Sequence, residues 1–524
     1  MASSTPINRA LGLIPKRAEQ QADTELRSTF EDSGVVQSLE SIDNQIVYGR
    51  RGTGKTHALR YLATTLAGEE NIAVYVDLRT VGSPEGLYEG AEIGPVQRTA
   101  RLLVDLLTSV HDSIFAAAVE DEGLGSDSNF VASLDGLLAS ISTIRLDGEV
   151  ETTSHQENST SNVGKFSLGL GSKRGIEADV AAESGDRHQR QVTETRKGGE
   201  KLAINFTDVA RALRALADSL SVHRIWILLD EWTSVPPKVQ PYLAAFLTRC
   251  VLPLQSFTVK ITAIEQQAVF RTVADDGTVV GFEVGADITA NLSLDDFMVF
   301  EQEEDRAREF FLRLFYKHLT SGKFSSTVNE LHGETDLITH GFTDTRAFDE
   351  LVRAAEGVPR DAINIAAIAA RRANDGRISI PHVRTAARQW YQGDKERAVR
   401  DLPGALDLLN WVIDKVIRDK KARGFLVNQR DSGADSLQAL FGARVLHLVR
   451  RGYSAQDAPG ERFDVYVIDY GAYVDLISTK NAPLGVLPIY GEGDELTGDY
   501  VDVPSQDLRA LRRAVLDLKE FKGE

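Results

Sequence analysis

One cysteine in 524 residues, Cys250, rules out an internal disulfide and suits a reducing compartment. It closes an apolar helical pattern, so a buried structural thiol is expected. No run reaches the roughly eighteen apolar residues that a membrane span needs, and residues 1–20 lack the apolar core of a signal peptide. Positive charge is scarce: 59 Lys and Arg against 77 Asp and Glu give a net charge of −18. So acidic a chain does not coat nucleic acid, and any such contact has to come from a local basic face. Nuclease, deaminase and protease motifs are also missing, which argues against an effector in the same chain. A cytoplasmic protein of two to four domains is the expectation.

Against these absences stands Gly49-Arg50-Arg51-Gly52-Thr53-Gly54-Lys55-Thr56, which fits G-x-x-x-x-G-K-[ST]. Gln45-Ile46-Val47-Tyr48 before it reads as a short buried strand. Ala58, Leu59, Leu62 and Ala63 after it recur at helical spacing. In a strand–loop–helix setting, glycines let backbone N–H groups close around a triphosphate and the helix start adds a positive dipole end. Lys55 would reach the β- and γ-phosphates, and the Thr56 hydroxyl would ligate Mg²⁺. ATP and Mg²⁺ are the cofactors so implied.

Residues 1–34 read as an N-terminal arm. Segments just ahead of such a loop often lie over the nucleotide base, so Phe30 and Val35–Val36 are adenine candidates, with plain packing the alternative. A second strand, Ile72 to Asp77, and a helix from about Gly94 to Val110 follow. From Asp121 to Glu200 the chain turns rich in Gly, Ser, Thr and acids, and the 175 residues between Lys55 and Asp230 exceed what two β–α units need by about a hundred, so this stretch reads as an insertion. Within it Phe166, Leu168 and Leu170, then Ile176, Ala178 and Val180, alternate around Gly171–Gly175 as a β-hairpin would. A flexible decorated loop is the alternative.

Helical spacing returns at Val209, Leu213, Leu216 and Leu220. The clearest strand of the chain then runs Ile225-Trp226-Ile227-Leu228-Leu229 into Asp230-Glu231. Downstream of the phosphate loop this carboxylate pair reads as a Walker B end, with Asp230 holding Mg²⁺ through water and Glu231 polarising the attacking water. The strand Phe257–Ile264 carries Thr262 and leads to Glu265; either could position that water, or be an ordinary strand-end polar group. A fifth strand is expected around Ile288–Leu292.

Residues 301–400 read as helices throughout, one opening at Gly357-Val358-Pro359-Arg360. Beyond them Leu406, Leu409, Val412 and Val416 mark a helix, and Leu437, Leu440, Phe441 and Leu446–Val449 mark two more. Phe463–Tyr470 alternates as a strand, so residues 401–485 suggest a winged helix. Between Lys415 and Arg451 nine basic residues (Lys415, Arg418, Lys420, Lys421, Arg423, Arg430, Arg444, Arg450 and Arg451) stand against three acids. They are a candidate duplex-DNA contact, with a solvated face or a protein-binding wing as the alternatives. Residues 486–524 form an acidic tail with a terminal helix pattern.

This assembly resembles an AAA+ ATPase, nearest the origin-recognition initiator clade and its bacterial relatives. Gly49–Thr56, Leu229-Asp230-Glu231 and Gly357-Val358-Pro359-Arg360 carry the resemblance, which spans roughly residues 35–110 and 205–480. It implies an α/β class fold: a parallel P-loop NTPase core at 35–300 with an insertion at about 121–200, a helical lid at 301–400, and a C-terminal winged-helix-like domain. It also implies that Arg360 contacts the γ-phosphate and reports hydrolysis. Gly357-Val358-Pro359 is similar to the lid motif of STAND-class ATPases, in which the proline lies near adenine; a helix boundary would use the same residues. Arg249 and Arg271 flank the Thr262 strand, but neither matches an arginine-finger motif. The function implied is an ATP-driven switch or motor, homo-oligomeric or paired with a separate effector. It would act on DNA or on a protein assembly, with antiviral or mobile-element systems as the setting. A STAND-like sensor that oligomerises on recognising a ligand is the alternative.

Overall fold

The computed structural model describes residues 5–67, 71–82, 95–120, 126–141, 205–220, 224–274, 276–295, 304–321, 324, 327–420, 422–454, 460–477 and 514–522. It also describes four short strands between 144 and 202. Those four strands form a separate unit of two antiparallel pairs, Ile144–Asp147 with Gly199–Leu202 and Thr153–His155 with Thr193–Thr195. The hairpin expected at 166–180 lies outside the described residues.

In the other unit, chain order runs α1 (Pro6–Leu13), α2 (Asp23–Thr29), β1 (Gln45–Tyr48), α3 (Lys55–Ala67), β2 (Ile72–Asp77), α4 (Pro95–Glu120) and α5 (Ser128–Ile141). Then come α6 (Phe206–Ser219), β3 (Ile225–Asp230), α7 (Gln240–Cys250), β4 (Phe257–Ala263) and β5 (Thr289–Ser293). The five strands make one parallel sheet in the order β5-β1-β4-β3-β2. In this parallel sheet the glycine-rich loop and helix α3 directly follow the β1 strand. Strands β3 and β4 are buried along their whole length, whereas β2, at the edge, alternates buried and half-buried residues. That difference is why β3 reads as a continuous apolar run.

Lys260 in β4 is fully buried, and its ammonium donates to Ser41 O (2.6 Å), Asp43 O (2.9 Å) and Gln45 Oε1 (2.6 Å). It thereby fixes the chain entering β1. The sequence pattern for α4 stops near Val110, but the helix runs ten residues further, to Glu120. Its stretch Gln97–Val119 is long and apolar enough to cross a membrane by length and composition. Asp105 and Asp112 interrupt it, so it does not stand out as an unbroken run. Here Leu102, Leu103, Leu106, Leu107, Val110 and Ile114 are buried in the core cluster shared with β2, α5 and α7. Helix α5 fell inside the polar insertion by composition; Phe130, Leu134, Leu137 and Ile141 nevertheless recur at helical spacing and are buried. Cys250 is buried as expected, and burial raises its thiol pKa to about 12.

A helical layer follows, with α8 (Glu304–Thr320), α9 (Asp336–Gly341), α10 (Thr345–Ala355), α11 (Pro359–Ala373) and α12 (Ile380–Trp390). Asp344 caps α10 by accepting from Ala347 N at 2.9 Å, and Phe348, Leu351, Val352 and Ala355 bury one face. Fully burying each large apolar side chain contributes roughly 1.5–3 kcal/mol. Glu356 and Gly357 then both take left-handed backbone conformations (φ 51° and 74°). This turns the chain so that Pro359 can begin α11, where its missing N–H costs nothing.

The last part holds α13 (Glu396–Arg400), α14 (Ala405–Val412), β6 (Gly424–Asn428), α15 (Asp435–Gly442), β7 (Leu446–Tyr453), β8 (Phe463–Ile468), α16 (Tyr470–Ile477) and β9 (Val515–Leu516). Its sheet runs β7-β8-β6-β9. The expected second helix at Leu446–Val449 is instead strand β7, paired antiparallel with β8. A four-residue apolar run cannot by itself distinguish strand from helix, and here the sheet decides. One helix, α15, therefore stands between β6 and β7, where a helix-turn-helix needs two. A wing-like sheet is present without the helix pair.

Candidate nucleotide site

The P-loop leaves β1 at Gly49, whose N–H donates to Ala263 O of β4 at 3.1 Å. A Cβ at Gly49 would come within 2.5 Å of Thr53 Oγ1, so the tight return of the loop requires glycine there. Gly52 and Gly54 take left-handed conformations (φ 92° and 99°), and Ala58 N–H closes the first turn of α3 on Gly54 O at 2.9 Å. The Lys55 ammonium folds back to donate to Gly49 O (2.7 Å) and Arg50 O (3.0 Å). Burial pushes its pKa down, against the pull of Glu231, Asp230 and Asp295.

A cleft of about 310 Å³ opens over this loop. It is lined by Arg51, Gly52, Gly54, Lys55, Thr56, Arg79, Glu231, Pro359 and Arg360, by Lys16, Arg17 and Glu19 of the N-terminal arm, and by His57, His318 and Ile363. Five of the eight expected P-loop residues thus face the cleft, together with Glu231, Pro359 and Arg360. The N–H of Arg360, an otherwise unpartnered group in the first turn of α11, donates to Gly52 O at 3.2 Å. A Cβ on Gly52 would meet Arg360 Cβ at 2.8 Å, so the start of α11 sits directly on the apex of the P-loop. Burial and the nearby Arg444 and Arg17 charges lower the Arg360 pKa from its usual value.

Several expected residues lie elsewhere. Gly49 and Thr53 shape the loop but do not line the cleft. The side chain of Arg50 turns away from it: Nε donates to Asp295 Oδ1 (2.6 Å), Nη1 bonds His447 Nδ1 (2.9 Å), and the guanidinium lies 4.7 Å from the centre of the Phe441 ring. Asp230 is fully buried behind the cleft. Its Oδ2 accepts from Tyr75 Oη (2.8 Å), and its Oδ1 accepts from Glu231 N–H (2.9 Å) and from the Thr262 hydroxyl. Thr262, expected to position water, therefore does something else. Buried on β4, it also accepts from Glu231 N–H at 3.1 Å and so holds the acidic pair in place. Glu265 points outward to Arg451. The backbone of Glu231 is left-handed (φ 57°), an unusual conformation for a residue with a Cβ, and it brings this residue to the cleft wall. Arg249 and Arg271 are exposed and line no part of the cleft.

Phe30 and Val35 are packed against the α3 side of the sheet, with the Phe30 ring stacked 4.1 Å from Tyr61. The N-terminal arm reaches the cleft further upstream, through residues Pro15 to Gln21. That segment carries little periodicity, and the sequence points to Phe30 and Val35–Val36 in its place. Arg79 was also missed, since an arginine two residues past a strand end carries no motif.

A buried chain of charges joins the P-loop to the C-terminal part. His447 Nε2 meets Asp469 Oδ2 (3.1 Å), Lys395 bridges Asp469 (2.5 Å) and Asp361 (2.9 Å), and Asp361 directly follows Arg360. Lys395 sits in a wide π-turn at Tyr391–Lys395. Arg444 approaches Asp361 at 3.7 Å, pairs with Asp394, and donates to Arg51 O at 3.2 Å.

That burial corrects the expected basic face. Arg423 and Arg444 are 4% and 7% exposed and pair with Glu356 and Asp394, so neither can meet a phosphate backbone. Arg418 pairs with Asp414 and Arg451 with Glu265, whereas Lys420, Arg430 and Arg450 are exposed and Lys415 is half-buried. Lys421 lies outside the described residues.

No curated protein matches this chain. Among solved structures, the Walker-type ATPase PABY2304 of Pyrococcus abyssi is similar at 14% identity and a TM-score of 0.40, covering 86% of this chain and 94% of its own. Cdc6p from Pyrobaculum aerophilum is similar at 11% identity and a TM-score of 0.27, covering 88% and 93%. Residues 13–70 match the family model described as ORC-CDC6-like, a stretch that holds both the cleft-lining arm segment and the whole P-loop.

Proposed function

We propose that this protein binds and hydrolyses ATP as a switch of the AAA+ type. The observation that carries the reading is the convergence of Lys55, Thr56, Glu231 and Arg360 on one cleft, with α11 hydrogen-bonded to the P-loop through Arg360 N and Gly52 O. A Cβ on left-handed Gly54 would meet nothing within 4 Å, so phosphate oxygens have room to approach the backbone there, which is the fit a triphosphate requires. Lys55 would exchange its two loop carbonyls for the β- and γ-phosphates, and His57, His318 and Ile363, which also line the cleft, would take the base, with Pro359 beside it.

Mg²⁺, when bound with the nucleotide, supplies charge neutralisation at the transferring phosphate. Thr56 would ligate it directly. Asp230 Oδ2 accepts one hydrogen bond, from Tyr75, and keeps capacity for a metal-bound water. Glu231, held by the hydrogen bonds of its N–H to Asp230 and Thr262, would orient the attacking water. Arg360 would sense the terminal phosphate and pass its presence into α11, and through Asp361 into the buried chain that ends at Arg50.

The output is a change in how the C-terminal part meets DNA or a protein assembly. Burial of Arg423 and Arg444 breaks the basic run and favours a protein partner, in keeping with a sensor that oligomerises or controls a separate effector. The discriminating experiment is a mass measurement of the purified protein with ADP, with a non-hydrolysable ATP analogue, and with duplex DNA added. Lys55→Ala is expected to abolish nucleotide binding, and Glu231→Gln to retain ATP while losing turnover. Normal hydrolysis by Glu231→Gln would sink the assignment of the base.

A further inference from the structure

Arg79 lies two residues past β2, where Asp77 pairs in register with Asp230 and Leu78 N–H donates to Asp230 O at 3.1 Å. That register brings Arg79 to the cleft wall it shares with Lys55, Thr56, Glu231 and Arg360. Its Nε and Nη2 grip Asp77 at 2.9 and 2.6 Å, and Nη2 also donates to Glu19 Oε1 at 2.7 Å. Asp77 is local and orients the side chain whatever the cleft contains. Glu19 comes from the N-terminal arm, sixty residues earlier, and lines the same cleft.

Partial burial raises the Glu19 carboxyl pKa, but the Arg79 hydrogen bond and the Arg79 and Arg360 charges outweigh it and hold it below its usual value. A carboxylate thus lies under the influence of two arginines, in a cleft that also presents Lys55 and Thr56. The Arg79 and Glu19 side chains are 38% and 31% exposed, so their pair is weak and can exchange partners without unfolding anything. Arg60 separately pins the arm, donating to Ala18 O at 2.9 Å and pairing with Asp23, so only the Glu19 side chain has to swing.

We infer that Arg79 is a second arginine of the nucleotide site, contacting the terminal phosphate of ATP, and that Glu19 occupies this arginine until the phosphate displaces it. The inference rests on the reading of the cleft as an ATP site. A phosphate oxygen offers a guanidinium the same acceptor geometry as a carboxylate, with more charge. The exchange leaves the Asp77 contacts in place.

The test is calorimetric titration of ATP and of ADP, with Mg²⁺, into the wild-type chain, Arg79→Ala, Arg79→Lys, Glu19→Gln and Lys55→Ala, with melting temperatures recorded without nucleotide. Arg79→Ala is expected to weaken ATP by about 10- to 100-fold, with a much smaller effect on ADP and partial recovery in Arg79→Lys. Glu19→Gln is expected to tighten ATP by about two- to fivefold, the size of an exposed ion pair. An unchanged ratio of ATP to ADP affinity in both Arg79→Ala and Glu19→Gln, with wild-type melting temperatures, overturns the inference. Should Arg79→Ala fail to fold, the Glu19→Gln ratio decides alone. Wild-type ATP binding that Lys55→Ala removes while the Arg79 and Glu19 variants behave as wild type defeats this inference and leaves the ATP site standing. No binding of either nucleotide by the wild type defeats both.

Discussion

Arg50, the second residue of the P-loop, hydrogen-bonds through Nη1 to Nδ1 of His447 on β7, 2.9 Å away and 397 residues further along the chain. Since Nδ1 receives this bond, the ring proton lies on Nε2 and is donated to Asp469. Asp469 is held by Lys395, which also holds Asp361 beside Arg360. The loop and the start of α11 are therefore tied to the same buried set of charges, and movement of one strains the other.

Arg50→Ala takes the guanidinium from Asp295 and from His447 Nδ1, leaving Asp295 only the residue-50 N–H and His447 only Asp469. Removal of one member of a buried charged pair is expected to destabilise by about 3–5 kcal/mol, read as a lower urea midpoint at constant slope. Arg50→Lys cannot reach Asp295 and His447 at once and should recover only part of this. A loss within error of zero for Arg50→Ala would show that the link does not hold the fold.

Stability should fall on acidification well above the carboxylate range. Burial and the Arg50 charge push the His447 pKa down to about 3, and burial with the His57 charge pushes His318 to about 3. The unfolded chain protonates both near pH 6.5. Between roughly pH 6.5 and 3 the unfolded state therefore binds more protons, and stability drops as pH drops. At pH 5 each histidine costs on the order of 2 kcal/mol. Asp469 is held low mainly by Lys395 against its burial, so it loses its charge only below this window. His447→Gln can keep both hydrogen bonds, and its urea midpoints at pH 7.5, 6 and 5 should show a slope shallower by one proton. An unchanged slope would contradict the assignment.

Thr262→Val removes the hydroxyl that binds both Asp230 and Glu231 N–H while preserving shape. A loss of roughly 1–3 kcal/mol in stability is expected from the buried groups left short of a partner. Hydrolysis should fall while ATP affinity stays within about threefold, an expectation that rests on Thr262 touching the acidic pair and not the cleft. Thr262→Ser should restore both. Loss of ATP affinity equal to the loss of turnover would place the threonine at the nucleotide instead.

Charge reversal should separate the two kinds of basic residue in the C-terminal part. Arg423→Glu sets a buried carboxylate against Glu356 and is expected to abolish folding, seen as loss of the cooperative melting transition. Arg450→Glu, at an exposed site whose guanidinium lies 5.7 Å from the Tyr453 ring, should fold normally. Combined with Lys420→Glu and Arg430→Glu, it tests duplex contact directly through the salt dependence of any binding.

The parallel sheet was legible because β3, buried on both faces, spells a continuous apolar run ending in Asp230-Glu231, and because β1 runs straight into the glycine-rich loop; β4 carries Thr258, Lys260 and Thr262 although it is just as buried. Lys55, Thr56, Glu231 and Arg360 were legible because each sits at a fixed step from a strand end or a helix start. The roles of Thr262, Arg50 and Arg444 were not. A threonine that bonds a neighbouring strand, and arginines whose acids lie up to hundreds of residues away, leave no local pattern. The second helix at Leu446–Val449 failed for a related reason: its four apolar residues suit either period, and pairing with β8 settles the matter from outside the segment.

Glu231 carries a left-handed backbone that glycine or asparagine would adopt with less strain, a saving of about 1 kcal/mol. A library of this gene screened only for heat resistance should therefore tend to discard the glutamate, and one screened for turnover should keep it. At this codon durability and chemistry select in opposite directions.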